Sequence, residues 1–89
     1  MENTEIRRLY DTLITKIRSY NPKVHYKIIE NAIWFSAKIH EGKKRESGEE
    51  FFLHCYKIAD ILADLKLDSH TIAAGLLHDV LEFGVKPVF

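Results

Sequence analysis

A chain of 89 residues with 13 basic and 13 acidic side chains has room for one small domain, and its zero net charge gives no pull towards nucleic acid or an anionic membrane. No apolar run approaches the ~18–20 residues of a membrane span, and "MENTEIRRLY" lacks the apolar core of a secretory signal. The lone Cys55 excludes an internal disulfide and suits a reducing compartment, so a cytoplasmic location is expected.

Hydrophobic periodicity predicts four helices and no strand. The first runs over roughly 4–19, capped by Asn3 or Thr4, with Ile6, Leu9, Tyr10, Leu13 and Ile17 at i, i+3, i+4, i+7 spacing. "YNP" (20–22) ends it, because a residue before proline avoids the helical region. The second, roughly 23–40, is expected to bury Ile28, Ala32, Phe35 and Ile39, with Trp34 near the rim and His40 favouring the dipole at its C-terminus.

"EGKKRESGEE" (41–50) is polar and aperiodic and reads as the one substantial loop. The third helix, roughly 50–66, places Phe51, Cys55, Ile58, Ala59, Leu62 and Leu65 inward. Asp68 then caps a fourth, roughly 69–83, with Ile72, Ala73, Leu76, Leu77 and Val80 as its buried stripe. Gly84 suits the position after the helix, and Pro87 prevents continuation. The expected architecture is an all-α bundle of about four helices.

Two constellations carry chemistry. "GLLHDVLE" (75–82) sets His78 beside Asp79 in an otherwise apolar run, and buried polar groups need a partner, water or a metal. Neighbours on a helix diverge by about 100°, so they meet one ion only from its flank, with another element supplying a further ligand. His54 on the third helix is the natural candidate. Imidazole nitrogens with a carboxylate oxygen suit Mn, Fe, Zn or Ni rather than Ca. Glu82, one turn after His78, could position or deprotonate an attacking water. Alternatively, each histidine is a satisfied structural residue. The second constellation is Lys43, Lys44, Arg45, Ser47 and Gly48: a guanidinium can stack on a base or fork onto phosphate, and Ser47 can donate to an anion. The acidic neighbours Glu41, Glu46, Glu49 and Glu50 leave open a merely solvated loop.

Together these pieces resemble a known family. "HEGKKRESGEEFFLHCYKIADILADLKLDSHTIAAGLLHDVLE" (40–82) is similar to the HD domain of the RelA/SpoT homologues, the enzymes that make and degrade the alarmone (p)ppGpp. That pattern runs H-x-G-Q-x-R-x-S-G-E-P-Y-I-x-H-P, then an apolar helix, then L-D-x-x-T-x-A-A-x-L-L-H-D-x-x-E-D. His40, Gly42, Arg45, Ser47, Gly48, Glu49, His54, Leu67, Asp68, Thr71, Ala73, Ala74, Leu76, Leu77, His78, Asp79 and Glu82 match it in order.

The resemblance covers roughly residues 24–83 and implies an HD-type, Mn²⁺-dependent phosphohydrolase domain that removes the 3′-pyrophosphate of (p)ppGpp; 1–89 is read as that single, partial domain. It implies metal ligation by His54, His78 and Asp79, and a catalytic carboxylate at Glu82. It also implies nucleotide contacts by Arg45 and Ser47, to which the cationic loop adds Lys44 as a further substrate-binding candidate. Phe83 stands where the family has the Asp of its Glu-Asp pair, and the family's later helices, with a further Asp ligand, would follow Phe89. A partial HD domain with weak or no hydrolysis is therefore expected; the alternative is a non-catalytic nucleotide-binding or protein-interaction module. An apolar side left open near Leu76, Val80, Leu81, Phe83, Val85, Val88 and Phe89 suggests a homodimer.

Overall fold

The structure is a computed structural model, and it describes residues 1–80. Four helices follow one another: α1 (Asn3–Tyr20), α2 (Tyr26–Ile39), α3 (Phe51–Asp64) and α4 (Ser69–Leu77). Helix α4 packs against both α2 and α3, and α1 lies across α2 and α3. The all-α bundle is as the periodicity predicts; among the described residues the only β pairing is an isolated bridge, Lys44 to Glu50. No helix of the described residues is long and apolar enough to cross a membrane.

Helix α1 buries Ile6, Tyr10, Leu13, Ile14 and Ile17, the expected stripe with Ile14 added and Leu9 at its edge. Its N-cap is Glu2, one residue before Asn3 and two before Thr4, the predicted caps. Helix α2 starts three residues later than predicted. The Lys23 amide donates to Asn21 Oδ1 at 3.1 Å, and this side-chain-closed turn holds residues 21–25 out of the helix.

The buried face of α2 also differs from the expected one. Ile29, Ala32, Ile33, Ser36 and Ala37 are buried, whereas Ile28, Phe35 and Ile39 are only half-buried. The helix is apolar on two overlapping stripes, and packing against three other helices selects the one centred on Ile33. In α3 the buried set is Phe52, Cys55, Tyr56, Ala59 and Ala63, while Leu65, expected inside, is 64% exposed. Leu65 is the C-cap residue, already turning away from the core.

Lys66 follows with φ 60°, a left-handed conformation usually given to glycine. Its amide donates to Ala63 O at 2.9 Å, and the Leu67 amide donates to Leu62 O at 3.2 Å. This paired closure stops α3 and aims the chain back into α4. Tyr20 Oη donates to Leu67 O at 2.7 Å, tying that turn to the end of α1. Asp68 is the N-cap of α4, as predicted, and accepts a hydrogen bond from the Thr71 hydroxyl.

The fourth helix closes at Leu77 rather than continuing through Asp79, and His78 and Asp79 form a turn. Leu76 and Val80 are both 0% exposed, so these two residues of the expected open apolar side are core. The rest of that side, Leu81, Phe83, Val85, Val88 and Phe89, lies outside the described residues, as do Gly84 and Pro87.

Candidate metal centre

His54 projects from the first turn of α3, while His78 and Asp79 come from the turn that ends α4. Glycine at position 75 lets these helices approach: a Cβ there would lie 2.6 Å from Leu62 Cδ1. His78 keeps helical dihedrals (φ −60°, ψ −28°), and the side chains of these neighbours turn towards each other, so that His78 Nε2 and Asp79 Oδ2 come within 2.8 Å. His54 Nε2 lies 3.7 Å from the same Oδ2. One ligand atom from each of the three residues fits within a mutual distance of 4.8 Å.

The donor set fits a divalent transition metal: two imidazoles and one carboxylate. The surroundings support that fit. His78 Nδ1 lies 2.8 Å from Gly75 O, which orients the ring. With the N–H on Nδ1, Nε2 would offer its lone pair to a cation held between it and the Asp79 carboxylate. Asp79 is only 7% exposed, whereas His78 lies at the surface and His54 is half-buried. The three groups thus form a notch with a buried floor and an open mouth.

Two neighbours were not singled out as parts of this site by sequence. Cys55, fully buried, directs its thiol at Asp79 Oδ2 across 3.9 Å. Burial, then the Asp79 charge, pushes the thiol up to about 11, so it stays protonated and acts as a weak donor. His40, read as a helix-end charge, is 2% exposed and stacks on Phe51 with ring centroids 4.9 Å apart. Burial holds it below the usual histidine range, with Asp79 pulling the other way. The only advance signal for either was adjacency, Cys55 to His54 and His40 to the glycine-containing loop.

The loop of residues 41–50 is a short hairpin. The Arg45 amide donates to Glu49 O at 2.9 Å, the Gly48 amide to Arg45 O at 2.8 Å, and the Phe51 amide to Lys43 O at 3.0 Å. Gly48 takes φ 89°, which a side chain would resist. Lys44, Arg45, Glu46, Ser47 and Phe51 line a shallow depression on it. The Phe51 ring stands edge-on to His54 with centroids 5.9 Å apart, so one aromatic residue links depression and notch. Ser47 Oγ accepts the Glu49 amide at 3.4 Å. The structure thus brings His54, His78 and Asp79 together and sets Lys44, Arg45 and Ser47 on the adjoining loop; Glu82 lies outside the described residues.

A helical bundle that brings two histidines and an aspartate to one notch offers a candidate site for a divalent metal ion. Residues 32–88 match the HD domain, and the chain belongs to that family. It is of the RelA/SpoT type. Over 66 residues it is 44% identical to a GTP pyrophosphokinase of Myxococcus xanthus, covering 74% of this chain and 9% of the relative. Over 74 residues it is 40% identical to the bifunctional (p)ppGpp synthase/hydrolase SpoT of Escherichia coli, covering 83% of this chain and 10% of the relative. The same identity and coverage hold for a guanosine-3′,5′-bis(diphosphate) 3′-pyrophosphohydrolase of Shigella flexneri. The chain thus spans about a tenth of the length of these curated relatives. No solved structure matches it significantly.

Proposed function

We propose that this chain is the metal-holding part of a cytoplasmic (p)ppGpp 3′-pyrophosphohydrolase domain, with His54, His78 and Asp79 as ligands to Mn²⁺. The convergence of these three side chains at one notch carries the reading, and the names of the relatives supply the substrate class. A divalent ion bound there supplies Lewis-acid polarisation of a phosphoryl group and acidifies water.

The chain's own residues do the rest. Arg45 stacks its guanidinium on the guanine, and Lys44 and Ser47 donate to phosphate oxygens. Asp79, oriented from beneath by the Cys55 thiol, holds its oxygen towards both imidazoles. Glu82 takes a proton from the water that attacks the 3′-linked phosphorus; the P–O3′ bond breaks, the ribose 3′-oxygen gains a proton as the leaving group, and the water oxygen is carried away in the pyrophosphate. Phe83 neither accepts a proton nor orients water, so turnover is slow. That residue also favours a second reading, nucleotide binding without turnover.

One assay tests both. Mn²⁺ is titrated into the protein and followed by electron paramagnetic resonance, and (p)ppGpp is then added while pyrophosphate release is measured. Saturable Mn²⁺ binding with slow release supports the hydrolase. Nucleotide binding without release selects the second reading, and absence of Mn²⁺ binding overturns the metal assignment.

A further inference from the structure

A second pair of histidines meets at the other end of α4. The rings of His25 and His70 stand with centroids 5.5 Å apart at 56°, close to the 5.8 Å and 55° of His54 and His78 in the notch. His25 is the N-cap residue of α2, and His70 lies in the first turn of α4. Roughly 12 Å of helix rise separates His70 from His78, so the two pairs are different places. The backbones that carry the new pair are fixed to each other: the His25 amide donates at 3.1 Å to Oγ of Ser69, which is buried. Both histidines are exposed. His70 Nδ1 lies 4.0 Å from Asp68 Oδ2, and the Asp68 carboxylate is itself held by the Thr71 hydroxyl.

An imidazole nitrogen binds a transition metal at about 2.0–2.1 Å, on a line running out from the ring centre, which puts the ion roughly 3.2 Å from the centroid. Two rings on one ion at a tetrahedral angle then have centroids about 5.2 Å apart, and the observed 5.5 Å needs an angle of only about 120°. We propose that His25 and His70 form a second, structural metal site that takes a borderline divalent ion, Zn²⁺ or Cu²⁺. The Asp68 carboxylate, on the Nδ1 side of His70, favours the N–H there and leaves Nε2 for the ion. Water completes the coordination. Mn²⁺ favours oxygen donors, so this pair differs from the notch in metal as well as in place. The bound ion joins the entry of α4 to the entry of α2, two helices that pack against each other, and needs no hydrolase activity to do so.

The test is titration of Zn²⁺ into the full chain at mildly alkaline pH, followed by calorimetry. Native protein is expected to take two ions, one at each histidine pair. His25→Gln and His70→Gln are each expected to weaken one of them about 10²-fold, because a second ligand on the same chain is lost, and to leave the other unchanged. The double variant His54→Ala/His78→Ala is expected to keep the ion that those two substitutions remove. Circular dichroism confirms that each variant is folded; the His25 side chain makes no capping hydrogen bond to α2, so glutamine there costs little. Isotherms that His25→Gln and His70→Gln leave unaltered overturn the proposal. An ion lost with His70→Gln but kept with His25→Gln marks a single imidazole beside Asp68 and overturns it too. Failure of the notch to hold metal shows as one ion in native protein, still lost with either His25→Gln or His70→Gln; that result supports the second site and counts against the proposed function alone.

Discussion

The His78 ring is held between two acceptors, with Nδ1 2.8 Å from Gly75 O and Nε2 2.8 Å from Asp79 Oδ2. A neutral imidazole has one N–H and satisfies one of them. On the proposed reading, Nε2, the Asp79 carboxylate and His54 would together hold a metal ion. Asp79→Asn and His54→Ala are therefore each expected to lower Mn²⁺ affinity beyond the ~10–100-fold cost of losing a supporting hydrogen bond. Resonance titration checks this. Cys55→Ala, which removes the thiol beneath Asp79, should stay within that range.

On the proposed hydrolase reading, turnover should be slow and should respond to position 83. Restoring a carboxylate with Phe83→Asp is expected to raise pyrophosphate release towards the ~10²–10⁴-fold that a positioned acid or base contributes. Glu82→Gln should abolish what remains. Single-turnover release from (p)ppGpp at saturating Mn²⁺ measures both. A native rate unaltered by Phe83→Asp would remove that residue as the cause of slow turnover.

Packing predicts a sharp contrast between two leucines. Leu76 is fully buried in α4, which packs against α2 and α3, and Leu76→Ala is expected to cost about 2–5 kcal/mol. That is a large share of the roughly 4–13 kcal/mol available to a domain of this size. Leu65 is 64% exposed, and Leu65→Ala should change stability by less than about 0.5 kcal/mol. Urea melts decide both.

The turn after α3 stores strain. Lys66 adopts φ 60°, which costs a residue with a Cβ roughly 1–2 kcal/mol that glycine avoids. Lys66→Gly is expected to raise the thermal midpoint, less the entropy that glycine loses on folding.

His40 makes stability depend on pH. Burial depresses its pKa in the folded chain, against the raising effect of Asp79 and alongside the lowering effects of Lys43 and His78. The unfolded state then binds the proton more readily. Its contribution to stability is full above the unfolded value of about 6.5 and falls as pH drops below it. The urea midpoint should decrease from pH 7 to pH 5, and His40→Gln should shrink that decrease.

The helices, their order and most of their ends are legible in the chain itself, because each signal is local. Apolar spacing marks α1 and α4, Pro22 stops the first helix, Asp68 caps the last, and the glycines at 42 and 48 mark the hairpin. The identities of His54, His78 and Asp79 were legible too, since an ordered motif needs no coordinates. Burial was less so. In α2 two apolar stripes compete, and only the packing of three other helices chooses Ile29 and Ile33 over Ile28 and Phe35. The end of α4 at Leu77 likewise has no marker in "LLHDVLE", and the 2.8 Å approach of His78 Nε2 to Asp79 Oδ2 is not legible in their adjacency. The same holds for Cys55 beneath Asp79 and for Glu49 between Arg45 and Lys57. Spacing along one helix shows which residues share its face, but contact across helices and loops depends on how the whole bundle closes.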